Sequence, residues 1–194
     1  MLKSILAWGL ISLAMTSCAL IKKPEAARET YDISAPQDFS GLQGGTRSQI
    51  LVKLPTALKA IDSDRIIVKP SPSVITYQAG AQWSDTVPRM VQAKLVEAFE
   101  NTGATGATAK PGDGLVIDFQ LVSSIRRFEI LDGVAVIEMS IKLLTDKTGL
   151  VQETRIFTAK TNAVGSTADA YVAAFDASFD ELARSIVRWV VNQT

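Results

Sequence analysis

Residues 114–144 read GLVIDFQLVSSIRRFEILDGVAVIEMSIKLL, and they decide the fold. In the first half, Leu115, Ile117, Phe119, Leu121 and Ile125 recur with a period of two, while Asp118, Gln120 and Ser124 fall between them. That is the pattern of a strand with one face buried. The apolar phase then flips to Phe128 and Ile130 across Arg126-Arg127, so a bulge at the two arginines is expected to re-aim the strand. Leu131-Asp132-Gly133 makes a turn, after which Ala135, Ile137, Met139, Ile141 and Leu143 alternate with Val136, Glu138, Ser140 and Lys142. A second turn at Asp146–Gly149 leads into the less apolar VQETRIFTAKT of residues 151–161. The three segments read as an antiparallel meander with one buried face.

A sheet with one apolar face needs cover, and two stretches can supply it. Over residues 79–103, Val87, Met90, Val91, Leu95, Ala98 and Phe99 lie at helical spacing, with Arg89, Gln92, Lys94 and Glu97 elsewhere. Ser84 or Asp85 can cap this helix, Pro88 falls in its first turn, and Gly103 can end it. Over residues 166–194, Val172, Phe175, Phe179, Leu182, Ile186 and Val190 form a longer stripe behind Ser166 or Thr167 as cap. Upstream, QILVKLP at 49–55, RIIVKP at 65–70 and VITYQ at 74–78 are short β-branched runs bounded by Pro55, Pro70 and Pro72. Such runs suit sheet edges. The expected fold class is α+β in two layers, an antiparallel sheet of meander plus short edge strands covered on one face by two amphipathic helices.

The N-terminus tells a different story. Lys3 gives a basic start, Ile5–Ala14 form an apolar run broken only by Gly9 and Ser12, and Thr16 and Ser17 follow. This layout matches an export signal, because a run of about ten apolar residues falls short of the about 20 that span a bilayer. The sole cysteine, Cys18, comes next. Met15-Thr16-Ser17-Cys18 resembles the lipobox of bacterial lipoproteins, with Met15 where that family usually has Leu. The resemblance implies cleavage between Ser17 and Cys18, a diacylglycerol on the cysteine, and acylation of the new amino group. With Ala19 rather than Asp after the cysteine, it further implies export to the outer membrane, facing the periplasm. The expected organisation is therefore a signal peptide over 1–17, a lipidated N-terminus and flexible tether over 18–48 with a short strand near Tyr31, and one folded domain over 49–194.

Composition excludes much. Residues 1–17 carry only Lys3 among charged groups, so the remaining 177 residues hold 19 basic and 20 acidic side chains, a balance unlike a nucleic-acid footprint. Histidine is absent, which removes the commonest general base and metal ligand. No phosphate-binding glycine loop or repeat is present. Asp62, Asp64, Asp85, Asp118, Glu129 and Glu138 are scattered over different elements, and Asp62-Ser63-Asp64 lacks the other ligands of a calcium loop. No catalytic residue, metal or cofactor is assigned. Gln82-Trp83 and Arg126-Arg127 are the candidate partner contacts; against this, a Trp just ahead of a helix more often plugs the core, and paired arginines on a strand are usually solvated. Tyr171, Phe175, Phe179 and Trp189 could line a lipid groove, but their spacing is that of a helix stripe facing a core.

Three stretches taken in order, YQAGAQWSDTVPRMVQAKLVEAFE at 77–100, DFQLVSSIRRFEI at 118–130 and VIEMSIKLLTDKTG at 136–149, resemble the auxiliary lipoprotein component of ABC-type transport systems. That family includes the paraquat-inducible protein C-like lipoproteins. The resemblance covers about residues 49–190 and implies a non-catalytic lipoprotein docking a lipid conduit. Its expected partners are the membrane through its lipid anchor and a mammalian cell entry type periplasmic protein, with a homo-oligomer left open. Two other readings stand beside it: a structural envelope lipoprotein independent of any transporter, and a periplasmic hydrolase, which the absence of histidine disfavours.

Overall fold

A computed structural model describes residues 27–42 and 44–194. In chain order the elements are β1 (Glu29–Tyr31), β2 (Gln49–Val52), β3 (Thr56–Ala57), β4 (Ile67–Ser71), β5 (Val74–Tyr77) and β6 (Ala81–Trp83). They are followed by α1 (Val87–Thr102), β7 (Ala107–Ala109), β8 (Phe119–Leu131), β9 (Val134–Thr145), β10 (Val151–Asn162) and α2 (Ala168–Gln193). The fold is α+β. The expected signal segment and Cys18 lie outside the described residues.

The meander β8-β9-β10 is antiparallel, as its alternation requires, and β8 carries the bulge at the expected place. Ile125 pairs with Met139 and Arg127 with Glu138, so Arg126 is the extra residue. Two residues stand between inward-facing Ile125 and Phe128, where strict alternation has room for one, and the bulge absorbs the surplus. The strand starts later than its period suggests. Leu115 and Val116 are exposed and the ladder begins at Phe119, because Asp118 is used to hold the start of β2, accepting from the Gln49 N–H at 2.8 Å and donating its own N–H to the Gln49 carbonyl at 3.0 Å.

The expectation of an antiparallel sheet needs correction, because the sheet is mixed. β2, β3 and β4 run parallel to β8 along its free edge, pairing in turn with Phe119–Leu121, Ser124–Ile125 and Ile130–Leu131. β2 also pairs in parallel with β7. Between these short strands and β8 the chain crosses over through α1, and a crossover returns the chain in the same direction where a hairpin would reverse it. The short strands are thus successive pieces along one long edge, with only β4-β5 forming a hairpin of its own.

Gly106 permits the close approach of β2 and β7. A Cβ at that position would sit 2.0 Å from the Arg47 carbonyl oxygen, closer than any atom can approach. The helices are bounded much as their termini suggest. Gly103, at φ 59°, ends α1 in the left-handed region, with its N–H bonded to the Glu100 carbonyl. The N-cap of α1 is Thr86, one residue past the two candidates, with Asp85 accepting from the Thr86 N–H at 2.6 Å. At α2 the cap is Thr167, whose hydroxyl accepts from the Ala170 N–H at 3.3 Å.

Helix α2 packs on β9 and β10, while α1 packs on β2, β7 and α2. The core collects Val91, Leu95 and Phe99 from α1 with Phe175, Phe179 and Ile186 from α2, set against Leu121, Ile137, Met139 and Ile141 from the sheet. The folded unit also takes in residues ahead of position 49. A short strand does occur at Tyr31, where β1 pairs in parallel with β6, and just beyond it Ile33 and Ala35 are buried in the same core. Ser34 N–H donates to Asp176 at 2.6 Å, Lys94 pairs with Asp32 at 2.9 Å, and Asn101 donates to the Pro36 carbonyl at 2.9 Å. These contacts strap residues 32–36 onto both helices.

Candidate functional site

The four residues reserved for a partner do not form one site. Trp83 is 1% exposed and belongs to an aromatic trio. Its ring meets Phe128 of β8 edge-on at 5.8 Å and Phe175 of α2 edge-on at 5.4 Å, while those two stack at 4.8 Å. Edge-on and stacked pairs are favourable aromatic geometries, so the trio ties β6, β8 and α2 together. Gln82 faces away from the trio, accepting from Arg28 at 3.4 Å and donating to Thr30 at 3.3 Å.

Arg126 and Arg127 engage different partners. Arg126, half exposed on the bulge, pairs with Glu138 at 3.1 Å. Arg127 pairs with the buried Glu129 at 2.8 Å, and Lys69 of β4 reaches the second oxygen of that carboxylate at 3.3 Å. Two cations on one largely buried carboxylate lock β4 to β8 near the end of the ladder. Of the pair, Arg126 is the more available to a partner.

Tyr31 joins β1 to the first turn of α2. Its hydroxyl lies 2.7 Å from both Glu29 and Asp169, donating its single proton between them. Hydrogen bonding to Glu29, then to Asp169, holds its ionisation well above the usual phenol range. At the surface, Asp38 is held below the usual carboxylate range by the N–H and hydroxyl of Ser40.

A groove of about 480 Å³ runs between β10 and the last turns of α2, bordered by Arg155, Phe157, Ser185, Arg188, Trp189 and Asn192. Trp189 is 5% exposed and packs edge-on against Phe157 at 5.5 Å, and its indole N–H has no partner. The Arg155 guanidinium lies over the Phe157 ring, 5.3 Å from its centre. Of the four aromatics considered for a lipid groove, Tyr171, Phe175 and Phe179 are core and Trp189 alone borders an opening. The groove is rich in donors and sits beside β10, an edge strand of the sheet. It was not legible in sequence because its walls come from two separate elements, β10 and α2, that meet only in the fold.

A second, wider cavity of about 870 Å³ opens at the end of the sheet where β2 and β8 begin, lined by Arg47, Val116, Phe119, Thr145, Lys147 and Thr194. The described residues contain no group of three or more His, Cys, Asp or Glu side chains that could hold a metal ion.

The family of ABC-type transport auxiliary lipoprotein components matches residues 31–187. The chain belongs to that family. Protein bll6063 of Bradyrhizobium diazoefficiens, an uncharacterized protein, is 30% identical over 168 residues, which is 86% of this chain and 46% of that protein. The chain thus spans about half the length of this curated relative. Among solved structures, protein XCC0632 of Xanthomonas campestris is 27% identical with a TM-score of 0.75, over 87% of this chain and all of that one. A second crystal structure of an uncharacterized protein, 14% identical with a TM-score of 0.68 over 84% of this chain and 99% of that one, shares the fold. The family match starts at Tyr31, in agreement with the burial of Ile33 and Ala35 ahead of β2. Among the described residues no helix is long and apolar enough to cross a membrane.

Proposed function

We propose that this auxiliary lipoprotein is a non-catalytic component of an ABC-type lipid transport system, anchored through Cys18 in the outer membrane and docking a mammalian cell entry type protein in the periplasm. The observation that carries the reading is the family match over residues 31–187 behind the Met15-Thr16-Ser17-Cys18 sequence. A single acyl chain binds a membrane only marginally, at about 0.8 kcal/mol per buried methylene, whereas two or more hold it stably. A diacylglycerol on Cys18 with an acylated amino group meets that requirement. The lipid chemistry itself belongs to the conduit, and this chain supplies position.

Docking falls to surfaces with hydrogen-bonding capacity to spare. Arg126 on the bulge and Gln82 on β6 are reachable there, and the donor-rich groove between β10 and α2 adds Arg155, Arg188 and Asn192. In-cell crosslinking of the full chain, followed by mass spectrometry of what is attached, tests the reading. Recovery of a mammalian cell entry type protein or its permease is expected. Recovery of porins or cell-wall proteins alone would replace it with a structural envelope lipoprotein.

A further inference from the structure

We propose that the β4-β5 hairpin is a second membrane contact, resting its apolar tip on the bilayer that holds Cys18. This rests on the lipid-anchor reading above. The hairpin extends past the sheet. Since β4 runs parallel to β8 and its Lys69 pairs with Leu131, the last residue of that strand, Pro70–Val74 project beyond the sheet's end. The outer strand shows no inward face: Val74, Ile75 and Tyr77 are 48%, 46% and 40% exposed. Ile75 and Tyr77 share one side of the strand, and the Arg65 guanidinium lies over the Tyr77 ring at 4.9 Å. Two aliphatic side chains, Val74 and Ile75, directly behind the Ser71-Pro72-Ser73 turn, with an aromatic ring and a guanidinium further back, match the depth profile of a membrane interface. Aliphatic groups enter the acyl boundary, while a Tyr ring with a cation sits at headgroup level.

The bilayer is the chosen occupant because of where the anchoring segment joins the fold. Glu29 N–H bonds to the Gly80 carbonyl, and only Gln78 and Ala79 separate Gly80 from Tyr77 of the hairpin. Ten residues stand between Cys18 and Glu29, which span at most about 40 Å even at full extension. The 13-residue β8 is itself about 40 Å long. Exposed apolar groups also occur at its opposite end, with Val116 82% exposed, but the anchor would have to lie along the whole sheet to bring that end to the lipid. The short connection favours the hairpin end.

The test uses the full chain purified from membranes and reconstituted into vesicles of phosphatidylethanolamine and phosphatidylglycerol. An environment-sensitive nitrobenzoxadiazole group is placed on Ile75→Cys or, as control, on Val116→Cys; both side chains are exposed, so neither change touches the core. A lipidated Cys18 has no free thiol, so one label per chain and a diacylglycerol on Cys18 are both read from the intact mass. The expected result is blue-shifted emission at position 75 that a lipid-borne spin label quenches, with water-like, unquenched emission at 116. Water-like emission at 75 in chains that do carry the lipid overturns the hairpin contact and leaves the anchor standing. A shift that grows with protein density and resists lipid-borne quenching shows a second copy on the hairpin and also overturns it. Chains without lipid on Cys18, labelled twice, overturn the anchor and with it the choice of occupant.

Discussion

Trp83 illustrates how much of this domain rests on single side chains. Buried between Phe128 and Phe175, it fills the junction of three elements, and its indole N–H finds no acceptor there. Trp83→Ala should lower the stability of the domain by about 3–5 kcal/mol, the range for removing a large aromatic from a packed core. Urea denaturation checks this, and a loss below about 1 kcal/mol would place the ring outside the core energetics. Tyr31 gives a prediction with a sign. Its phenol ionises above the ordinary 10.0 in the folded chain, so its contribution is fully present below the unfolded value. That contribution is lost as pH rises through the unfolded value toward the folded one. Tyr31→Phe should therefore narrow the gap between stability at about pH 8 and at about pH 11. Parallel pH profiles for the two proteins would show that the Tyr31 hydroxyl does not hold β1 to α2.

At the scale of elements, the close pairing of β2 and β7 depends on a missing side chain. Gly106→Ala would drive a methyl into the Arg47 carbonyl and force the strands apart, with an expected cost of about 1–3 kcal/mol or more. A melting temperature unchanged by this substitution would mean that the two strands are not held at this spacing. Elements whose signals are local were readable from sequence. The period-two alternation of β8 and β9, the surplus residue at Arg126 and the stripe of α2 each lie within one continuous stretch. Strand direction was not, because parallel pairing of β2, β3 and β4 with β8 is set by partners more than 60 positions away. The short edge strand expected at VITYQ is β5, Val74–Tyr77, but its exposure on both sides was not readable, since a β-branched strand reads alike whether it is buried or exposed. Burial of Ile33 and Ala35 was hidden by the polar residues around them, since two apolar positions carry no period.

Seen whole, the molecule has two unlike ends along β8. One carries the β4-β5 hairpin, the Glu129 ion cluster and the entry of the N-terminal segment; the other carries the wide cavity, Val116 and the C-terminal Thr194. If Cys18 is lipidated as proposed, the ten residues between it and Glu29 would keep the first end near the lipid and turn the second away from it. On the proposed function, this polarity is what an auxiliary subunit would contribute to a transport system. Grooves and free edges were less legible than the fold, because they are made by elements that meet only in three dimensions, while the proposed anchor rests on four consecutive residues. The orientation, reach and docking proposed for the molecule all depend on that anchor. The decisive measurement is the intact mass of the protein isolated from purified outer membranes. A chain that begins at Cys18 and carries a diacylglycerol and an N-acyl group is the predicted result. A chain that begins elsewhere, or starts at Cys18 with a free thiol, would contradict the account.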